Sequence, residues 1–153
     1  MKGLDMVSLE RSTNLDRKAV QETVNDWICR LRELYSYLDT WVASIPNSTV
    51  ERSDVRQAIE PLMTRFNVPA QAIPTYTVIL ETKRRVAFVP SVIWIIGANG
   101  RVNVTTNFRQ HILLDIGGRS MKRNGWQLVV SDPNKVLIPF NKVAFQNLLR
   151  ERK

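Results

Sequence analysis

In residues 16–44, DRKAVQETVNDWICRLRELYSYLDTWVAS, apolar side chains recur with the period of an α-helix. With Val24 as origin and about 100° per residue, Ile28, Leu31, Tyr35, Leu38 and Val42 fall within roughly 40° of it, and Trp27, Leu34 and Trp41 widen the stripe to one side. A broad arc of this kind suits a helix laid across a sheet, whereas a two-stranded coiled coil needs a narrower seam over more heptads. Thr13 followed by Asp16 resembles a capping box at the start, and Ile45-Pro46 marks the end. Such a helix is about 43 Å long at 1.5 Å per residue, enough to cross a small sheet. Cys29 falls opposite the apolar arc and is expected to be an exposed, inert thiol.

Downstream, Val55, Ile59, Leu62, Met63 and Phe66 share a helical face and predict a shorter helix over Ser53–Phe66, with Pro61 kinking or splitting it. From Thr75 onward the chain changes character. Short runs rich in β-branched and aromatic residues, bounded by turn residues, predict antiparallel strands near Tyr76–Glu81, Val86–Val89, Gln110–Ile116, Trp126–Ser131 and Lys135–Ile138. Asn99-Gly100 is the preferred pair for a type I′ hairpin turn. The register it sets gathers Ile93, Ile95, Gly97, Val102, Val104 and Thr106 on one face. Asp132-Pro133-Asn134 supplies another tight turn. A last helix is expected over Asn141–Arg150, with Asn141 as its N-cap. The fold class expected is α+β: a long and a short helix packed on a curved antiparallel sheet of about six or seven strands, then a short C-terminal helix. The 153 residues suit one domain, with residues 1–15 a flexible N-terminal segment.

The charge is uneven. Met1–Glu81 carry 9 Lys+Arg against 11 Asp+Glu, and Thr82–Lys153 carry 13 against 3, so the net +8 belongs to the second half. Basic charge of that density recruits polyanions, which makes nucleic acid, an anionic membrane surface or an acidic protein the partners to weigh. The longest apolar run, Val92–Ile96, is too short to span a bilayer. The first residues lack the apolar block of a signal peptide, so the chain is expected to stay in the cytoplasm. Cys29 is the only cysteine and His111 the only histidine, which argues against a disulfide or a Cys/His zinc site. No cofactor is expected.

The basic residues fall in clusters: Lys83-Arg84-Arg85; Arg101 and Arg109; Arg119, Lys122 and Arg123; Arg150, Arg152 and Lys153. The first and third sit in predicted turns, where Lys and Arg side chains can reach phosphates. Phe108 and Trp126 are near them in sequence and available to stack on unpaired bases. Nothing here has the pattern of a helix-turn-helix, an RNP strand or a zinc finger. Residues 78–83, with Glu81-Thr82-Lys83 at their end, resemble the second half of the PD-(D/E)xK nuclease motif, which implies acidic groups on a divalent cation and a lysine beside the attacking water. The first half is missing, since Asp54 lies in the predicted helix. Leu114-Asp115-Ile116-Gly117-Gly118 resembles the first phosphate-binding turn of the sugar-kinase and actin-like ATPases. That superfamily places the turn at the start of two larger domains, so here the glycine pair is read as a flexible turn. His111 and Asp115, about 13 Å apart along a strand at 3.3 Å per residue, form no dyad.

The reading that follows is a small basic non-enzymatic binding or regulatory protein that docks nucleic acid through its second half. The phosphate contacts expected are Lys83, Arg84, Arg85, Arg101, Arg109, Arg119, Lys122 and Arg123. The alternative is an inhibitor- or immunity-type module covering an acidic protein; a metal-dependent nuclease stands behind both. A pocket lined by Trp27, Trp41 and Trp94 is a further possibility, secondary to a plain core role for those rings.

Overall fold

The computed structural model describes residues 15–117, 125–130 and 136–152. Thr13, the Asp132-Pro133-Asn134 turn, Arg119, Lys122 and Arg123, and the N-terminal segment up to residue 14 lie outside them. Helix α1 (Arg17–Val42) is followed by strand β1 (Thr49–Arg56), a single-turn helix α2 (Pro61–Arg65), and strands β2 (Ala72–Ile79), β3 (Arg85–Val92), β4 (Arg101–Thr105), β5 (Gln110–Asp115), β6 (Trp126–Val130) and β7 (Val136–Pro139). Helix α3 (Lys142–Leu149) ends the order. The seven strands form one open antiparallel meander, each paired with its neighbour in sequence. The class is α+β, as the sequence pattern indicated.

Helix α1 forms where the periodicity placed it. Asp16 is its N-cap, accepting the Ala19 N–H at 2.8 Å. The buried stripe holds Val20, Val24, Trp27, Ile28, Leu31, Leu34, Tyr35, Leu38 and Val42, and Cys29 is exposed on the opposite side. This stripe packs on Tyr76 and Val78 of β2, Val86 and Phe88 of β3, Val102 and Val104 of β4, Leu113 of β5, and Trp126 and Leu128 of β6 as one continuous core. Phe140, Phe145 and Leu148 extend it at the C-terminal end, with Phe140 and Phe145 against Trp41 at ring separations of 5.6 and 5.8 Å. Asn141 caps α3 through the Ala144 N–H.

Two expectations fail for identifiable reasons. Ser53–Phe66 is no helix: Thr49–Arg56 is a strand in an eight-residue ladder with β2, and helix begins only at Pro61. Proline is tolerated at the first helical position, where its missing N–H would find no intrahelical acceptor, so Pro61 starts the turn rather than kinking a longer helix. The apolar spacing from Val55 to Phe66 spans two elements and mimics one.

Asn99-Gly100 makes no hairpin turn either. Strand β3 ends at Val92, paired with Arg101, and residues 93–100 form a loop with one isolated bridge between Ile95 and Ala98. The positive φ is at Gly97 (85°) rather than at Asn99 or Gly100. Gly100 is needed for another reason: a Cβ there would lie 2.4 Å from Cζ3 of Trp27. The backbone at the end of this loop therefore rests directly on the helix's indole ring. The buried face expected from the hairpin survives in part, since Ile93, Val102, Val104 and Thr106 are buried, whereas Ile95 and Gly97 are not.

Two phenols couple α1 to the sheet. The Tyr35 hydroxyl donates to the Pro74 carbonyl at 2.7 Å, and that of Tyr76 to Asp39 Oδ1 at 2.7 Å. Burial pushes both above the ordinary tyrosine value, helped at Tyr76 by its hydrogen bond to the Asp39 carboxylate. The folded form therefore holds these protons more tightly than the unfolded chain, in which a tyrosine titrates near pH 10. Their contribution is complete below about pH 10 and is lost as pH rises beyond it. Urea midpoints measured on both sides of that value are expected to fall on the alkaline side, and the Tyr35→Phe/Tyr76→Phe protein is expected to show a shallower fall. Equal slopes would show that the phenols do not carry the effect.

Candidate nucleic-acid interface

In a meander, alternate turns lie at the same end of the sheet. The β2–β3 turn and the β4–β5 turn share one end, and the segment after α3 returns to it. Lys83, Arg84 and Arg85 come from the first turn, Phe108 and Arg109 from the second, and Arg150 and Arg152 from the C-terminal segment. Three clusters that are far apart in sequence thus form one surface.

Hydrogen bonds fix its shape. Leu80 N–H donates to the Arg84 carbonyl at 2.9 Å and Lys83 N–H to the Leu80 carbonyl at 2.8 Å, closing the first turn with Lys83 at φ 73°. Arg85 N–H donates to Asn107 Oδ1 at 2.8 Å, tying the two turns together. In the second, Thr106 Oγ1 accepts the N–H groups of Phe108 and Arg109, both at 3.1 Å. The Arg84 guanidinium lies 5.1 Å from the centroid of the Phe108 ring and donates to the Glu151 carbonyl at 3.0 Å.

Glu151 is the acidic hub of this end. Its carboxylate meets His111 Nε2 at 2.6 Å, the Thr106 hydroxyl, and Arg109 Nε at 3.7 Å, while Arg109 Nη2 reaches the Arg152 carbonyl at 3.3 Å. The Glu151 side chain is 12% exposed, so most of its charge is spent inward. Lys83 and Arg85 are exposed, and Arg85 makes only a 3.4 Å surface pair with Glu51. Pairs of that kind hold side chains loosely, leaving them available to a phosphate.

Of the other predicted contacts, Arg101 is elsewhere, half-buried at the opposite end of β4, its Nε bonded to Asn103 Oδ1 at 2.9 Å. Arg119, Lys122 and Arg123 lie outside the described residues. Trp126 cannot stack on a base: it is 2% exposed and packs on Trp27 at 5.8 Å. Phe108 is half-buried beneath Arg84.

Trp27 and Trp41 serve the core, and of the three tryptophans proposed for a pocket Trp94 lines a 320 Å³ cavity with Thr23 and Ile93–Ile96. A 270 Å³ cavity opens beside His111 and Glu151, floored by Leu128, Ile138, Ala144 and Leu148.

Asp115 belongs to neither a phosphate turn nor a His111 dyad. It is fully buried and bound to Arg30 Nη1 at 2.7 Å, while His111 faces Glu151. Glu81 follows the end of β2 and Asp54 lies in β1; continuing the β1–β2 register separates them by about seven residues, roughly 23 Å. They cannot share one cation, and no group of three or more His, Cys, Asp or Glu side chains suited to a metal occurs among the described residues. Among those residues no helix is long and apolar enough to cross a membrane.

Sequence reasoning missed Glu151, His111 and Thr106 as a unit, because a contact between side chains 40 or more positions apart leaves no local pattern. It missed Glu60 as well, whose buried carboxylate accepts the N–H groups of Ile93 at 2.8 Å and Trp94 at 3.1 Å and so anchors the β3–β4 loop. The chain is an α+β protein with an open seven-stranded meander across a long helix and a basic surface at one end of the sheet. No family model, curated protein or solved structure matches it.

Proposed function

We propose that this protein is a non-enzymatic binder of nucleic acid that docks the phosphate backbone at the end of the sheet formed by the β2–β3 and β4–β5 turns. The observation that carries the proposal is the meeting of Arg84, Arg85 and Arg109 at the turn that holds Phe108, with Lys83, Arg150 and Arg152 on the adjoining segments of the same end. Guanidinium groups held by backbone carbonyls and an aromatic face are pre-positioned, so less side-chain entropy is lost when a phosphate arrives. Among the described residues the exposed carboxylates beside these turns are Glu81 and Glu51, and Glu51 is opposed by Arg85. The field at this end is therefore positive.

Binding of labelled single- and double-stranded DNA and RNA across a salt series tests the proposal. Sub-micromolar affinity is expected, with log K falling linearly in log salt because neutralised phosphates release counterions. Lys83→Ala/Arg85→Ala/Arg109→Ala is expected to reduce the magnitude of the slope by about one per lost contact. Arg101→Ala, at the opposite end, is expected to leave it unchanged. If affinity for every oligonucleotide is no better than about 10⁻⁴ M at physiological salt, the proposal fails and the surface is assigned to an acidic protein partner.

A further inference from the structure

We propose that a second copy of this chain pairs antiparallel with strand β1, continuing the two sheets into one. Strand β1 is the edge of the meander, and seven of its eight residues are exposed, on both faces. A strand with so little burial of its own keeps a full row of backbone groups open to another strand.

Which groups point outward follows from the ladder. Gln57 N–H donates to the Gln71 carbonyl at 2.9 Å, one residue past the end of β1 and in the same register. Residues of an antiparallel strand direct both their N–H and C=O alternately to one side and the other. Glu51, Ser53 and Val55 therefore bond to β2, and Val50, Arg52, Asp54 and Arg56 point their N–H and C=O outward. The β2–β3 turn gives the same parity, because Leu80 N–H bonds to the Arg84 carbonyl and so turns the even-numbered residues of β2 toward β3.

Charges on an edge strand usually repel a second strand. Here each sign occurs twice, as Glu51, Arg52, Asp54 and Arg56, and their order selects one pairing. A pairing centred on Ser53 sets Arg52 of each copy opposite Asp54 of the other and uses all four outward-facing residues. Moving the centre to Arg52 opposes arginine to arginine. Moving it to Asp54 opposes the two aspartates and sets Arg52 against Arg56. Centring on Val55 opposes Asp54 and Arg56 but uses only two of the four outward residues. The Ser53-centred pairing alone combines full length with no like charges directly opposed. Asp54 has no hydrogen bond or ion pair among the described residues, while Arg52 is held by Asp39 and by the Tyr76 ring, 5.1 Å away. The free carboxylate thus meets an arginine already fixed in place.

Sedimentation equilibrium of the full chain tests this, with a reversible dimer expected. Asp54→Pro removes an outward N–H and leaves the β2 ladder intact. It is expected to give a monomer with unchanged circular dichroism and urea midpoint. Asp54→Arg, which needs no backbone change, opposes arginine to arginine twice per dimer and is expected to raise the dimer dissociation constant about tenfold or more. If Asp54→Pro fails to fold, Asp54→Arg decides. A wild-type chain that remains monomeric at about 100 µM, or a dimer whose dissociation constant is indifferent to Asp54→Arg, overturns the proposal.

Discussion

Replacing Asp115 with alanine is expected to cost about 3–5 kcal/mol of folding stability, the loss typical of a broken buried ion pair. Asp115 is 0% exposed, and its two oxygens take the Arg30 guanidinium at 2.7 Å and the Gly117 N–H at 3.1 Å. Without it, Arg30 keeps, among the described residues, only Asp26, 2.9 Å away on the solvent side. The guanidinium cannot escape by losing its proton, because arginine keeps its charge in proteins; in the wild-type chain burial opposes that charge, and the hydrogen bonds to Asp26 and Asp115 outweigh it and raise the pKa. A drop in Tm of roughly 6–20 °C is expected for a chain of this size. The double variant Arg30→Met/Asp115→Leu is expected to cost much less than the sum of the two single changes, since it leaves no orphan charge. Additive losses in calorimetry would show that the pair is not coupled.

Trp27→Ala is expected to cost about 3–5 kcal/mol, because the indole fills the space between α1, Gly100 and Trp126 and its loss leaves a cavity. The informative part is the interaction with Gly100. In the wild-type chain Gly100→Ala forces a methyl against three ring carbons at 2.4–2.7 Å, an overpacking worth about 1–3 kcal/mol. In the Trp27→Ala background the same methyl enters vacated space, and its cost should vanish or change sign. Denaturant titration of the four proteins measures this coupling. A Gly100→Ala cost that is the same in both backgrounds would mean that the glycine serves the loop's conformation rather than the ring.

These contacts bear on how much of the molecule its sequence discloses. Helix α1 was legible because 26 residues keep one period and Asp16 caps the start. Strand β1 was not, because a strand wet on both faces shows no apolar alternation, and Val55 and Ile59 fall by accident in phase with the apolar residues of α2. Asn99-Gly100 misled because a glycine that lets a ring approach the backbone is indistinguishable in sequence from one that turns the chain. The basic clusters were visible as composition. Their meeting was not, since it depends on strand order, and the meander brings Arg84 beside Phe108 while leaving Arg101 at the other end.

The same nearest-neighbour strand order has a kinetic meaning. Each strand can pair with the one just before it at the cost of a short loop closure, so the sheet can grow hairpin by hairpin without waiting for distant segments. Helix α1 is synthesised before all of them, yet its apolar stripe meets partners as late as Trp126 and Phe145. On the ribosome, where chains emerge at about 5–20 residues per second, this amphipathic helix remains uncovered for several seconds. An element made before every strand of the sheet thus waits for its last partners, and during that interval its apolar stripe is exposed to wrong contacts.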